Sequence, residues 1–359
     1  MFSSNDSRWT PRVLILAGAM VGAACAPSDT GQGDTRCGAG QRCAGGSDSA
    51  SLVITHGSQL AVTDVGPTGL GISSFTSVAG GTFTGTALAS WGALARTVGV
   101  GGETIDGFTF PQGTVVLQGA NVTSGLTVNA GWLVLRGCKV GSVLLNHPSG
   151  STGGGAALYT ELAAFNSVGA KDGRQPAKTI CHRCYFPQSG FENVYSNNVT
   201  ITESWIAVDP GSAGDHVDGI QTWGGQSYLD FSRNRFQWNG LWNSTQSGLI
   251  AMYSDGPQSG STGYNQVSIR DNYFVIGPGG GIALHAPMDV PVTNMVVTGN
   301  RWVWDSGFGD PNYTPAVYRA TGAANYKTGG NAWSNNRWVD GPYANQFLWP
   351  DNRTRTTEY

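Results

Sequence analysis

The sequence predicts an all-β fold that winds as a single solenoid. A short register recurs along the chain, with apolar residues at its first, third and eighth positions and Asn or another small residue at its sixth. Such self-similarity at a period of tens of residues is typical of solenoids. Composition favours the same fold class, because only 12% of the residues are charged and 54 are Gly, which suits short strands joined by turns better than helical bundles.

The register has its clearest copies in the second half of the chain. Period-2 alternation predicts a strand with one buried face, and the apolar eighth position predicts that the chain turns and re-enters the core. The clear copies are residues 199–206, 229–236, 267–274 and 295–302, with half a copy at 333–338 and weaker copies at 115–122, 133–140 and 179–186.

The sixth position of the register is predicted to form a tight corner between two strands. The residues at this position are Asn234, Asn272, Asn300, Asn336, Ser204, Cys138 and Cys184. Asn suits such a corner because it tolerates the left-handed backbone region and can hydrogen-bond locally. We also expect the Asn side chains of successive coils to bond to each other along the stack.

The cysteines are expected to serve structure rather than metal binding. Cys181 and Cys184 face the core on this register, and Cys138 shares the position of Cys184, so these two could stack as a thiol pair or a disulfide. A second ligand pair at metal spacing is absent from the sequence, which argues against a zinc site. Cys37 and Cys43 could close a small disulfide loop in an oxidising compartment.

The N-terminal residues 1–25 read as an export signal. Two arginines precede an apolar run at 13–24, which is too short to span a bilayer. The run ends in a segment that resembles a bacterial lipobox, with Gly22 where Leu is usual, so both lipidation of Cys25 and ordinary cleavage nearby stay open. The chain is therefore expected to be exported, either as an outer-membrane lipoprotein or as a secreted protein. A lipid on Cys25 would be its one membrane contact.

Composition shifts divide the rest of the chain into four parts. Residues 26–50 are polar and Gly-rich and read as a flexible tether. Residues 51–103 are expected to form an N-terminal cap and the first coils, because an open solenoid end exposes an unpaired edge. Residues 104–338 carry the coils, and residues 339–359 lack the register and are expected to cover the last coil.

A second strand with its own signature lies between copies of the register. The segments 219–223, 248–252 and 281–285 each begin with Gly followed by a branched apolar residue. Aligning them at this Gly predicts that Ile220, Leu249 and Ile282 face the core. Since side chains alternate along a strand, the predicted outward rows are Gln221, Ile250 and Ala283, then Trp223, Met252 and His285, with Tyr318 as a continuation.

Residues 100–340 resemble the right-handed parallel β-helix of the pectate-lyase-like superfamily. The resemblance rests on the strand–Asn-turn register and on the run Asp215-His-Val-Asp-Gly-Ile-Gln221, which is similar to runs in exported bacterial β-helix proteins. It implies a carbohydrate partner more firmly than a reaction, because the superfamily includes lyases, hydrolases, epimerases and adhesins. The signature segments of polygalacturonase-like hydrolases and of the main pectate lyases are absent.

Three titratable residues before the second strand are the candidate catalytic groups. His216 could act as the base of a β-elimination on a uronate, while Asp215 and Asp218 could bind Ca²⁺, the one cofactor candidate, together with Asp255. In a glycoside hydrolase, Asp215 and Asp218 would instead act as paired acid and base. The structural alternative is that both carboxylates only shape the turn before Gly219.

The expected partner is a polysaccharide, bound by a monomer. The candidate substrate-binding residues are Gln221, Trp223, Tyr253, His285, Arg174 and Lys178, with Lys171 as a further cation on the same loop. A nucleic-acid partner is not expected, because the net charge is −3 and no dense basic cluster is present. The recurrent arginines beside the Asn turn, Arg233, Arg235, Arg270, Arg301 and Arg337, are predicted to form a solvated face.

These features favour an enzyme, most simply a polysaccharide lyase or a related uronate-directed enzyme. The rival is a non-catalytic surface protein that binds glycans through aromatic and polar side chains. An enzyme needs a base, a neutralising cation and an acid within one groove, whereas an adhesin needs only a binding strip.

Overall fold

The computed structural model describes most of the chain after the predicted tether. The described residues are 53–147, 152–167, 178–188, 191–194, 196–209, 218–223, 226–239, 248–253, 263–276, 283–286, 291–304, 317–319, 326–351 and 353–359. The predicted signal, Cys25, the tether, Cys37 and Cys43 lie outside these residues.

The described residues are mostly β-strands, with a few 3₁₀ turns. The strands of the first half are β1 Thr76–Val78, β2 Gly81–Thr84, β3 Ala95–Thr97, β4 Glu103–Ile105, β5 Phe108–Phe110, β6 Val115–Gln118, β7 Ala120–Val122, β8 Leu126–Ala130, β9 Trp132–Arg136, β10 Lys139–Leu145, β11 Gly154–Leu158, β12 Glu161–Ser167, β13 Lys178–His182, β14 Tyr185–Phe186 and β15 Phe191–Val194. The strands of the second half are β16 Val199–Thr202, β17 Trp205–Val208, β18 Ile220–Trp223, β19 Ser227–Ser232, β20 Arg235–Trp238, β21 Ile250–Tyr253, β22 Tyr264–Arg270, β23 Tyr273–Val275, β24 Leu284–Ala286, β25 Val292–Thr298, β26 Arg301–Val303, β27 Val317–Arg319, β28 Ala332–Ser334, β29 Arg337–Trp338, β30 Phe347–Leu348 and β31 Thr354–Arg355. The 3₁₀ helices are Gly57–Gln59, Val62–Asp64, Pro67–Leu70, Ala89–Leu94 and Gly341–Tyr343.

The strands form long parallel sheets in a repeating order. The first face is a ten-stranded sheet in the order β3-β6-β9-β11-β13-β16-β19-β22-β25-β28. The second face contains β1, β7, β10, β12, β14, β17, β20, β23, β26 and β29, and the third contains β2, β8, β10, β12, β15, β18, β21, β24 and β27, with β10 and β12 running through both. We call one pass through the three faces a rung. Strands of successive rungs pair in parallel, which is consistent with a parallel β-helix.

The corner between the first and second faces carries the predicted ladder of asparagines. Asn234, Asn272, Asn300 and Asn336 are all buried. The backbone N–H of each of the first three donates to the side-chain oxygen of the next, over 2.9, 3.0 and 3.1 Å. The Asn272 amide group also donates to the carbonyl of Phe231 at 2.8 Å. The side-chain amide of Asn234 also donates to the side-chain oxygen of Asn272 at 3.2 Å, and that of Asn272 to Asn300 at 3.0 Å, which confirms the expected bonding between stacked Asn side chains.

The left-handed residue of each corner precedes the Asn, which differs from the sequence-based expectation. Arg233 and Asp271, which directly precede Asn234 and Asn272, have φ values of 56° and 54°. Glu203 does the same before Ser204, with a φ of 51°. The Asn is selected for a different reason, because its short amide can both donate and accept inside the closed corner.

The interior between the faces is filled by aligned apolar side chains. Phe236 and Phe274 stack with ring centroids 5.2 Å apart, and Phe274 stacks on Trp302 at 5.0 Å. Ile220 and Leu249 are fully buried, as predicted, while Ile282 lies outside the described residues. Equivalent residues of successive rungs are thus neighbours in the core, as the recurrent register indicates.

Both ends of the stack are closed by antiparallel pairing. At the N-terminal end β3 pairs antiparallel with β6, and Trp91 packs against Phe83 with centroids 6.0 Å apart. At the C-terminal end β30 pairs antiparallel with β29 and β31, and the carbonyl of Leu348 accepts a hydrogen bond from the indole of Trp333 at 2.7 Å. Such pairing protects edge strands from association with other chains.

Residues 53–72, which we call the N-terminal strap, run along the side of the stack rather than over its end. Gly57 N–H donates to the carbonyl of Asp271 at 2.8 Å, whereas Gly66 N–H donates to that of Arg183 at 2.7 Å. The strap therefore crosses several rungs along the Asn corner. The sequence led us to expect a cap and the first coils for residues 51–103, whereas this stretch consists of 3₁₀ turns that contact the side of the stack.

The cysteines of the core pair within one corner. Cys181 and Cys184 form a disulfide, while Cys138 is a free, buried thiol. A Cys138–Cys184 pair is excluded because the rung that carries Thr160 lies between them: the Thr160 hydroxyl oxygen accepts a hydrogen bond from the Cys138 N–H at 3.4 Å, and its carbonyl accepts one from Tyr185 N–H at 3.0 Å. The shared register position correctly predicted that Cys138 and Cys184 lie on one corner. The structure shows that they are two rungs apart, which is too far for a pair.

No helix in the part of the chain that the structure describes is long and apolar enough to cross a membrane.

Candidate functional site

The outer side of the third face holds three of the sequence-predicted binding residues, in a register that differs from the predicted one. Ile220 pairs with Ile250, and Ile250 pairs with Leu284. The predicted alignment at Gly is therefore displaced by one residue at each rung. Its physical basis was weak, because a Gly before a strand marks a turn and does not fix which residue of the strand enters the core.

Three residues predicted to face outward are instead in the core. Ile250, Met252 and Ala283 are all fully buried. Met252 pairs with Thr222 of the preceding rung, and the Thr222 hydroxyl lies 3.0 Å from the hydroxyl of Tyr264 inside the stack. These side chains cannot take part in a surface site.

The backbone register aligns Gln221, Ala251, His285 and Tyr318 in successive rungs, and Ala251 in this row is fully buried. The next outward position aligns the backbone of Trp223 with that of Tyr253. The rings of Tyr253 and His285 meet edge to face, with centroids 5.1 Å apart. Gln221, Tyr253 and His285 are half-buried, so the structure brings three of the predicted binding residues to one surface.

Asp218 is placed differently from a catalytic or metal-binding carboxylate in an open groove. Only 1% of the residue is exposed, and its Oδ1 atom accepts a hydrogen bond from the N–H of Gly248 in the next rung at 2.8 Å. This hydrogen bond fixes the turn that leads into β18. Asp218 therefore has the turn-shaping role that the sequence offers as the alternative to a catalytic one. Its two predicted partners, Asp215 and His216, lie outside the described residues.

The predicted cationic residues do not join this surface in the part of the chain described. Lys178 is exposed and begins β13 on the first face, whereas Gln221 and His285 belong to the third face. Arg174 and Lys171 lie outside the described residues.

Of the expected Ca²⁺ ligands, only Asp218 is among the described residues. Among the described residues no group of three His, Cys, Asp or Glu side chains could hold a metal ion. Asp218 offers one oxygen that is already bonded to Gly248 N–H, whereas Ca²⁺ takes six to eight oxygen ligands. Asp255, like Asp215, is not among the described residues, so no step is derived through the metal.

A second charged cluster lies on the first face, near the strap. Glu203 accepts from Arg183 at 2.9 Å and from Arg233 at 3.1 Å, and Arg183 also donates to the hydroxyl of Tyr159 at 2.9 Å. Burial lowers the pKa of His182 in this cluster to about 4. Both arginines are paired with Glu203, and the three residues belong to the corners of three successive rungs. The cluster therefore stabilises the stack by linking these rungs.

The arginines beside the Asn corner do not form the solvated face that the sequence predicts. Arg233 is paired with Glu203, and Arg235 lies between two aromatic rings, 4.3 Å from that of Trp205 and 5.3 Å from that of Tyr273. Arg270 alone of the five is classed as exposed. The alternation of Arg with aromatic residues at one register position could have indicated this stacking.

No protein-family model, curated protein or solved structure matches this chain.

Proposed function

We propose that this chain is an exported polysaccharide-acting protein with a right-handed parallel β-helix of the pectate-lyase-like type. The parallel pairing of three faces over successive rungs and the buried Asn ladder support the fold. The lipobox-like segment before Cys25 supports export, with lipidation or secretion as the two forms.

The surface formed by Gln221, Tyr253 and His285 carries the proposal. An aromatic ring, an imidazole and an amide on neighbouring rungs match what a sugar ring needs, because aromatic faces cover its apolar side and polar groups bond its hydroxyls. The strand that bears Gln221 directly follows the run that contains His216. A glycan lying along the third face would therefore contact the strand that directly follows this run.

A uronate-directed lyase is the activity that we propose first. His216 or His285 would remove the proton from the carbon next to the uronate carboxylate. The electron pair left behind forms a carbon–carbon double bond, the glycosidic carbon–oxygen bond breaks, and the leaving oxygen takes up a proton. Trp223 and Tyr253 would hold the sugar rings, and Arg174 would neutralise the carboxylate, a role that Lys178 on the first face cannot share.

A non-catalytic glycan-binding protein is the second candidate, and the position of Asp218 favours it. A buried carboxylate that bonds to Gly248 N–H cannot pair with Asp215 as acid and base across an open groove. The glycoside-hydrolase alternative is weakened by the same observation, since hydrolases need two carboxylates facing the substrate.

The test is a panel of uronate and neutral polysaccharides incubated with the full chain, with and without a chelator. Unsaturated products that absorb ultraviolet light would identify a lyase, and new reducing ends without absorbance would identify a hydrolase. Binding without product would identify the second candidate.

Variants locate the surface in the same assay. His285→Ala and Tyr253→Ala should lower product formation or binding at least about tenfold if each removes one stacking or hydrogen-bonding contact. Tyr228→Ala is the matched control, because Tyr228 is 55% exposed on the first face. Equal activity in all three variants would contradict the proposed surface.

A further inference from the structure

A row of aromatic and arginine side chains follows the second face, away from the third-face surface. The register aligns Trp205, Arg235, Tyr273, Arg301 and Arg337 at one outward position of successive rungs. Since neighbouring strands lie about 4.8 Å apart, the backbones of Arg235 and Arg301 are about 10 Å apart and those of Arg301 and Arg337 about 5 Å apart. We call Arg235, Arg301 and Arg337 the arginine row.

Each guanidinium of the arginine row is held by neutral groups. That of Arg235 is stacked between two aromatic rings, and its buried Nε has no hydrogen-bond partner among the residues that the structure describes. The Nη1 of Arg301 donates to the carbonyls of Gly299 and Asn300 at 3.1 and 3.0 Å.

Arg337 is held in the same manner at the C-terminal end of the row. Its guanidinium lies 3.8 Å from the ring centroid of Phe347. Its Nε donates to the side-chain oxygen of Asn335 and its Nη1 to the carbonyl of Asn345, both at 3.1 Å. Among the described residues, the position of the Arg337 cation is therefore fixed by neutral groups.

Ion pairing distinguishes the arginine row from other arginines of the chain. Arginines within ion-pair distance of a carboxylate are Arg96, Arg136, Arg183, Arg233 and Arg353. In the described part of the chain no such pair is found for Arg235, Arg301 or Arg337. Asp271 and Asp340 act electrostatically on Arg301 and Tyr273 of this face, but neither is within ion-pair distance of the arginine row.

Burial makes the absence of a counter-charge costly. Burial lowers the pKa of Arg235 and that of Arg301, and Arg337 lowers the latter further. Arginines held in place by neutral groups are suited to carboxylates, because the planar guanidinium binds both oxygens at once. Arg301 and Arg337 are partly exposed, so a ligand can reach them.

We propose that the arginine row is a second binding strip that takes a linear carboxylated glycan along the second face. This inference rests on the proposed function and specifies its ligand as an anionic polysaccharide. A chain with a carboxylate on each sugar suits a row of cations one and two strand spacings apart better than a single small anion does. Tyr273, which lies between Arg235 and Arg301 and is half-buried, adds apolar contact with a sugar ring.

The test measures binding of polygalacturonate and of a neutral glucan to the full chain by calorimetry. The Arg301→Gln/Arg337→Gln variant should bind polygalacturonate at least about tenfold more weakly, because it loses two charge-assisted contacts with carboxylates. Arg270→Gln is the matched control, because Arg270 is exposed on the first face and bonds only to Ser268 among the described residues. It should bind as the unaltered chain does.

Two further measurements guard against a variant that fails to fold. Arg337→Gln alone, at the C-terminal edge of the stack, should show a smaller loss of the same sign. For the unaltered chain, the affinity for polygalacturonate should fall as salt rises, because the contacts are ionic.

The outcomes separate this strip from the third-face surface. The inference is overturned if the double variant binds polygalacturonate like the unaltered chain, if Arg270→Gln weakens binding equally, or if polygalacturonate does not bind. Product formation from a neutral glycan without polygalacturonate binding would refute the strip and keep the polysaccharide function. Loss of product in His285→Ala with unchanged polygalacturonate binding would support both surfaces.

Discussion

The side-chain oxygen of Asn272 accepts a hydrogen bond from the backbone N–H of Asn234, which lies one rung away, at 2.9 Å. The same oxygen accepts from the Asn234 side-chain amide at 3.2 Å. Both residues are fully buried, so no water can replace these bonds. The corner is thus tied from rung to rung by side chains as well as by the strands.

Asn272→Ala should lower the free energy of unfolding by about 2–6 kcal/mol. The change leaves the N–H of Asn234 and the carbonyl of Phe231 without partners, and each buried orphan costs about 1–3 kcal/mol. Urea unfolding followed by circular dichroism would measure it. Asn239→Ala, at an exposed position, is the control and should stay within about 0.5 kcal/mol. Equal stabilities of the two variants would show that the ladder contributes nothing.

Gly57→Ala should detach the N-terminal strap. A Cβ at this position would lie 2.0 Å from the carbonyl oxygen of Asn234, and the backbone on both sides would have to separate. Faster hydrogen exchange of amides in residues 53–72 would report the detachment. Gly99→Ala is the matched control, since a Cβ there meets nothing within 4 Å. Unchanged exchange in Gly57→Ala would refute the packing of the strap.

Stability should fall as the pH drops from about 6.5 toward 4. Burial lowers the pKa of His56, of His147 and of His182, that of His182 to about 4. A base whose folded pKa is depressed binds its proton more readily when unfolded, so stability is complete above the unfolded pKa and is lost below it. For His182 alone the loss by pH 4 is on the order of 3 kcal/mol.

The variant His182→Gln tests the largest of these contributions. Its free energy of unfolding should depend less on pH between 6.5 and 4 than that of the unaltered chain. Unfolding curves at several pH values would give the two slopes. Identical slopes would mean that His182 is already protonated, or is solvated, in the folded chain.

Thiol labelling should find one protected cysteine in the stack. In a chain with Cys25, Cys37 and Cys43 replaced by Ser, the native state should not react, because Cys138 is buried and burial raises its pKa to about 11. Unfolding without reductant should expose one thiol, identified as Cys138 by peptide mapping. Labelling of Cys181 or Cys184 would contradict the observed disulfide.

The sequence predicted the stacking better than it predicted the surfaces. The Asn ladder follows from the register because the side-chain amide of an Asn inside a closed corner has few hydrogen-bond partners other than its neighbours along the stack. The third-face register was displaced because Gly219 and Gly248 mark turns, whereas the core position is set by the pairing of Ile220 with Ile250. The strap was missed because its contacts with Arg183 and Asp271 join residues far apart in the chain.

The arginine row shows a further limit of sequence reasoning. Arg233 and Arg235 are two positions apart, yet one pairs with Glu203 and the other stacks on Trp205. Position relative to the corner, rather than residue type, decides between these environments. Only the alignment of successive rungs makes the difference visible.

The distance between spin labels at Gln118 and Arg270 tests the parallel stacking of the rungs most directly. Both positions are exposed on the first face, and the register links them through Arg136, Leu158, His182, Thr202 and Ser232. These are six strand spacings, so a narrow distribution centred near about 29 Å is expected between the two backbones. A broad distribution, or one centred far from this distance, would contradict the stacked rungs and both surfaces built on them.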